Sequence, residues 1–215
     1  MQKKTNKTSK KGLFVPNMDF STISEVMFYA PFEVEANNML KWAGLNPFAV
    51  PSCFHPLYMR RYDGAWVGIG IRNVNGGYEF WNASLPRPVT VLQKGLVYIQ
   101  SKALPNTKVC FVFLDILDYL SYRTYSADEA LQRVTKLPYD EFSDIYVLNS
   151  YSNFIDLMTA VKSYATIHTF FPTNDCGKVM YKTLEQFQEN GAERLHDWSS
   201  IYSATAVTLD EYVRG

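Results

Sequence analysis

The sequence predicts an α+β fold: a small helix and an antiparallel meander, followed by an α/β part with a mostly parallel sheet. Two observations carry this. Short apolar runs at Val109–Phe113, Ile145–Leu148 and Ile167–Phe171 are rich in β-branched and aromatic residues, and each leads into a segment of helical period. Upstream, Leu57–Tyr62, Trp66–Arg72 and Tyr78–Trp81 read as strands, separated by Asp63-Gly64 and Asn75-Gly76-Gly77. Those turn residues tolerate the positive φ that tight hairpins need. At 215 residues the chain is long enough for one sizeable core, or for one domain with an appendage.

The division that follows is 1–12 as a basic tail, 13–104 as the helix and antiparallel part, 105–190 as the α/β part and 191–215 as an extension. The tail carries Lys3, Lys4, Lys7, Lys10 and Lys11 without an acid and has too little apolar surface to order itself. Glu33–Trp42 reads as a helix with Ala36, Met39, Leu40 and Ala43 on one face and Gly44 to end it. Asn46-Pro47 opens a short second helix through Val50, stopped by Pro51. Gly68 and Gly70 alternate with Val67, Ile69 and Ile71, which fits backbone lying close to another layer; no helix follows, so they are no dinucleotide fingerprint. Pro86 and Pro88 break the pattern before a short strand at Val97–Gln100.

In the α/β part, a helix is expected from Asp115 to Tyr125 and a further helical stretch from Ala127 to Val134. Ser152 or Asn153 can cap a third, whose stripe is Phe154, Leu157, Met158 and Val161. The helix after Phe171 turns Val179, Met180, Thr183, Leu184 and Phe187 inward. The last stretch, with Trp198, Ile201, Tyr202, Val207 and Leu209, has no clear period.

Lys plus Arg and Asp plus Glu number 21 each, so the molecule has no overall basic field, and contact with nucleic acid has to come from a local patch. Cys53, Cys110 and Cys176 are scattered and form neither a disulfide framework nor a zinc pair, in keeping with a reducing cytoplasm. No apolar run is long enough to span a bilayer, and no hydrophobic signal follows the basic start, so the expected location is cytoplasmic.

Several runs resemble one family, the Toprim-domain, DNA-primase-like proteins of bacterial mobile elements of Bacteroides type. Met39-Leu40-Lys41-Trp42-Ala43-Gly44-Leu45 stands where that family has a "Leu-x-x-Arg-Gly-Ile" helix end. Gly70 to Asn82 resembles its "Gly-Phe-x-Asn-x-x-Gly-Gly-Tyr-Glu-x-Arg-Asn" hairpin. Phe113 to Ser121 resembles "Phe-Glu-Gly-Phe-x-Asp-x-Leu-Ser", and Val147 to Asn153 resembles "Val-Leu-Asn-Ser-x-x-Asn". Phe170 to Lys178 resembles "Phe-Leu-Asp-Asn-Asp-x-x-Gly". The resemblance implies a Toprim-like sheet with a crevice at its strand ends.

In active members of that superfamily, a Glu ending the first strand serves as general acid/base, and an Asp-x-Asp pair ending the third holds Mg²⁺ for phosphoryl transfer. Here the Glu position is Leu114 and the following Gly is Asp115; the two Asp positions are Pro172 and Asn174. Mg²⁺ needs hard, mostly anionic oxygen ligands, and proton transfer needs a titratable group in reach. Of the expected acids only Asp118 stays in place. The resemblance with these losses implies a catalytically degenerate, primase-derived accessory that binds single-stranded DNA or RNA or works with mobilisation or replication proteins, with no membrane partner and no cofactor.

The alternative keeps activity: Asp115, Asp118 and Asp175 as shifted catalytic acids, with Asp118, Asn174 and Asp175 holding Mg²⁺, in a nucleotidyltransferase or nuclease. A protein-interaction module that binds no nucleic acid is a further alternative. Gly177-Lys178 at a helix start can receive a phosphate. Arg60, Arg61 and Arg72, among Tyr58, Tyr62, Tyr78 and Trp81, can hold single strands by charge and stacking, and Asn149 and Ser150 edge the crevice. Asp118 is expected to hydrogen-bond near Asn149 or Ser150, and His168 to be a satisfied core histidine.

Overall fold

Residues alternating in period two build an antiparallel sheet, and the later apolar runs build a mostly parallel one. A computed structural model describes residues 25–28, 33–61, 64–128, 137–188, 194–202 and 206–214. The first sheet is antiparallel throughout, in the order β1 (Glu25–Phe28), β2 (His55–Arg61), β3 (Gly64–Arg72), β4 (Tyr78–Trp81), β5 (Val89–Val91). The second runs β10 (Leu195–Asp197), β9 (Thr166–Phe170), β7 (Val109–Phe113), β8 (Asp144–Val147), β6 (Val97–Ile99). Only β6 is antiparallel to its neighbour. The three expected βα units therefore lie side by side.

Register sorts the meander residues onto two faces. Leu57 and Met59 share a face with Trp66, Gly68, Gly70 and Phe80, while Tyr58 and Arg60 share the other with Val67, Ile69, Ile71 and Trp81. The glycines are small because the space above them is taken: a Cβ on Gly68 would lie 2.5 Å from the Phe80 ring, and one on Gly70 would lie 2.5 Å from the Leu57 side chain. Helix α1 (Glu33–Trp42) packs on β2 and β3 and ends at Gly44, whose φ of 79° suits a residue without Cβ.

Helix α2 (Ile116–Ser126) joins the two sheets. Asp115 starts it from extended backbone and accepts hydrogen bonds from the amides of Leu117 (2.9 Å) and Asp118 (3.0 Å), two donors the helix cannot pair internally. The helix is buried nearly all round: Ile116, Leu117, Tyr119, Leu120, Tyr122 and Tyr125 are buried, and so are Asp118 and Ser121. It packs on β4, on β7 and on α5 (Leu209–Arg214). On the α2 side of the second sheet, Phe113 stacks on Phe170 (4.7 Å) and Tyr122 meets Phe170 edge-on. On the opposite side, Cys110, Val112 and Ile167 meet α3 (Phe154–Val161) and α4 (Asp175–Phe187) through Leu157, Val161, Met180 and Leu184.

Several elements differ from expectation. The helix expected at Asn46–Val50 is a three-residue 3-10 turn, Pro47–Ala49. In α4, Val179 and Phe187 are exposed rather than inward, because Gly177, Met180 and Leu184 already fill the buried stripe. Strands β1, β5 and β10 and helix α5 are additional to the sequence reading. The basic tail, Tyr62 and most of the Ala127–Val134 stretch lie outside the described residues. Gly68→Ala should destabilise the chain by about 1–3 kcal/mol, the cost of overpacking; a urea midpoint unchanged from wild type would contradict the packing described.

Candidate functional site

The carboxyl ends of β7, β8 and β9 open into one cleft of about 430 Å³. Ligand crevices in open α/β sheets form at this end of the strands. Leu114 and Asp115 follow β7, Asn149, Ser150 and Tyr151 follow β8, and Pro172 and Asn174 follow β9. Arg87 and Pro88 close one side, Val207 and Thr208 another.

Turn chemistry accounts for much of this lining. Asn149 adopts φ 61°, a left-handed conformation that Asn tolerates better than most residues. Its amide donates to Leu114 O (2.7 Å), and its side-chain Nδ2 reaches Gly95 O (3.3 Å). The Oδ1 of Asn149 is buried and finds no partner among the described residues. Ser150 caps the 3-10 turn Tyr151–Asn153 by accepting from the Ser152 amide. Asn153 was one expected cap, but its Nδ2 instead holds Leu148 O (2.9 Å). After β9, Asn174 caps α4 by accepting from the Gly177 amide (3.0 Å). A Cβ at Gly177 would lie 1.9 Å from Pro172 O, so only glycine lets the helix fold back so tightly. Asn174 thus takes one of the first amides of α4, that of Gly177, and Lys178 is exposed, 3.8 Å from Asp175.

The charges of the cleft follow from the burial of α2. Among its described lining residues, Asp115 is the one acid and Arg87 the one cation. Arg87 Nη1 donates to Asp115 Oδ2 (3.3 Å), and Nη2 lies 3.5 Å from Glu211 Oε1. Burial raises the Asp115 carboxyl above its ordinary value, while the Asp118 amide and Arg87 act in the opposite sense. Asp118, one turn along, is 1% exposed. Its Oδ1 accepts from the Asp210 amide (2.8 Å), and its Oδ2 is buried without a partner among the described residues. Burial first, and the Asp115 charge second, push the Asp118 carboxyl well above the usual range and favour its protonated form. The expected partner near Asn149 or Ser150 is therefore replaced by α5, a segment whose sequence has no clear period. Ser121 donates to Asp210 (2.8 Å) and completes the contact between the helices.

The structure brings together Asp115, Asn149, Ser150 and Asn174, with Asp118 buried beneath Asp115. It does not bring in Asp175, whose side chain is fully exposed on the first turn of α4. Nor are Arg60 and Arg72 neighbours: the register puts Arg60 on the Tyr58 face and Arg72 on the Tyr78 face of the meander. Arg61 is placed by its backbone in β2 alone. No group of three or more His, Cys, Asp and Glu able to hold a metal ion occurs among the described residues. His168 is half-buried, accepts from Trp198 Nε1 (3.0 Å) and packs against Phe111 and His196; burial lowers its pKa to about 4.

Arg87, Tyr151 and Thr208 escaped the sequence reading. Arg87 had one signal, its place between Pro86 and Pro88, which fix φ on either side. Glu79 also escaped it. This residue is buried, accepts from Asn73 Nδ2 (3.0 Å) and Thr90 Oγ1 (2.8 Å), and thereby ties the Asn73–Gly77 turn to β5. Burial pushes its carboxyl up to about 6, against the lowering by those two bonds.

No family model matches the chain, and no curated protein matches it. Among solved structures, the chain is similar to the primase fragment of the bacteriophage T7 primase-helicase protein, at 13% identity and a TM-score of 0.46 over 80% of this chain and 67% of that one. No helix among the described residues is long and apolar enough to cross a membrane.

Of the raised acids, Glu79 and Asp118 set a pH dependence that can be read. A carboxyl whose pKa is higher folded than unfolded binds protons more tightly when folded, so the stability it contributes is present at low pH and lost as pH rises. For Glu79 the window runs from 4.5 to about 6 and corresponds to about 2 kcal/mol. For Asp118 it starts at the ordinary value and extends well above it. Asp118→Asn keeps the acceptor for the Asp210 amide and removes the titration. Its melting temperature should exceed that of wild type by more at pH 8 than at pH 5; a constant difference would contradict the raised pKa.

Proposed function

We propose that this chain is a primase-like Toprim relative that binds single-stranded nucleic acid at the strand-end cleft, as a replication-associated accessory, and does not make or break phosphodiester bonds. The observation that carries the reading is the state of the acids. In the positions where the resemblance implies a general acid/base and two metal ligands stand Leu114, Pro172 and Asn174. Asp115 is engaged by two amides and by Arg87, and Asp118 is buried beneath it with its protonated form favoured. A cleft with a half-exposed guanidinium, neutral amides and hydroxyls, and the exposed ring of Tyr151 suits a phosphate and a base better than a hydrated divalent cation. The resemblance of the sequence motifs to mobile-element primases supports the cellular setting.

Calorimetric titration of Mg²⁺ and Mn²⁺ should give no submillimolar site. Primer synthesis and nicking should be absent in wild type and in Asp118→Asn alike; activity in wild type that Asp118→Asn abolishes would establish the metal-dependent alternative instead. Gel shifts on single-stranded DNA and RNA should show binding that weakens as salt rises and falls with Arg87→Gln. Comparing chains with and without residues 1–11 separates the tail's contribution, and no shift by either chain would leave the protein-interaction reading.

A further inference from the structure

We infer that Glu211 is a built-in competitor for the cleft: its carboxylate occupies the half of Arg87 that an incoming phosphate would take. This rests on the reading of the cleft as an anion site.

The two acids on Arg87 are held very differently. Asp115 is buried, caps α2 and meets Nη1, so it orients the guanidinium and cannot leave without uncapping the helix. Glu211 meets Nη2 across 3.5 Å, and both side chains of that pair are close to half exposed, 48% and 45%. An exposed pair at that distance is weak and exchangeable, whereas a phosphate can engage a guanidinium through two short charge-assisted bonds. The prolines on either side of Arg87 limit how far its backbone can follow a ligand.

The segment that carries Glu211 is built to stay while its carboxylate moves. Leu209 is fully buried, the Asp210 amide is held by Asp118, and Thr173 donates from its amide to Val207 O (2.9 Å). Val207 and Thr208 form a wall of the cleft itself. The second oxygen of Glu211 accepts from the Val207 amide (2.8 Å), which poises the side chain at the cleft mouth. Displacing Glu211 from Arg87 breaks the exposed ion pair and leaves the buried anchors intact. Without a ligand both ends of the guanidinium are thereby matched to acids, and an anion that takes Nη2 has to outcompete a tethered carboxylate.

The test is fluorescence anisotropy of a short labelled oligothymidylate at low salt, with full-length wild type, Glu211→Gln, Arg87→Gln, the double variant and Glu141→Gln. The amide of Glu211→Gln keeps an oxygen for Val207 and loses the charge. Glu141 is an exposed acid just before β8, at the other end of the sheet, and controls for net charge. The expected result is binding about two- to five-fold tighter in Glu211→Gln, the range an exposed ion pair supplies. No such gain is expected from Glu141→Gln, or from Glu211→Gln in the Arg87→Gln background. Wild-type binding that Arg87→Gln weakens but Glu211→Gln leaves unchanged overturns this inference alone. A gain that persists without Arg87, or that Glu141→Gln reproduces, also overturns it. Absence of binding by every variant overturns it together with the anion-site reading.

Discussion

Burial of α2 nearly all round is the constraint from which the rest of the molecule follows. A helix wedged between two sheets needs its first amides paired within the protein, and Asp115, the residue before it, accepts from two of them. The same burial removes Asp118 from solvent, where an unpaired charged oxygen would cost several kcal/mol and a proton is the cheaper answer. The helix that closes the core therefore also decides which contacts its two acids make.

The chemistry of the cleft is what remains after that decision. Three strand ends converge on a space whose lining amides and hydroxyls mostly shape their own turns, as Asn149, Ser150 and Asn174 do. Against this neutral background Arg87 stands out, held from below by Asp115 and faced by Glu211. The other buried acids away from α2 behave similarly. Glu79 fastens a hairpin turn, and Asp144 gathers Tyr98, Tyr164 and the Ser101 amide at the far end of β8. In each case a carboxylate acts as a hub for donors within the protein.

Local pattern revealed the elements whose signal is local. The apolar runs of β7, β8 and β9 and the hairpin turns of the meander were legible, and so were α1 and α2, because each buries a face its own sequence declares. Strand β10, Leu195-His196-Asp197, has no alternation to read; it is a strand because β9 offers an unpaired edge. Strand β5 is a Val-Thr-Val fragment just after Pro88, paired through contacts that a hairpin-by-hairpin reading does not reach. The site divides in the same way. The strand-end motifs located the cleft, yet the partner of Asp118 lies 92 residues away at Asp210, and Arg87 reaches Asp115 across 28 residues. Such pairings are set by how sheets and helices stack, and no period or spacing records them. The basic and aromatic residues of the meander were visible in the sequence, but only the register shows Arg60 and Arg72 on opposite faces.

Carboxyl ¹³C chemical shifts followed through a pH titration, with and without Mg²⁺, address the central claim most directly. If the fold has claimed these acids, the Asp118 carboxyl titrates well above the ordinary aspartate range, and neither it nor Asp115 responds to the ion. An Asp118 that titrates normally, or either carboxyl shifting as Mg²⁺ is added, would contradict the account.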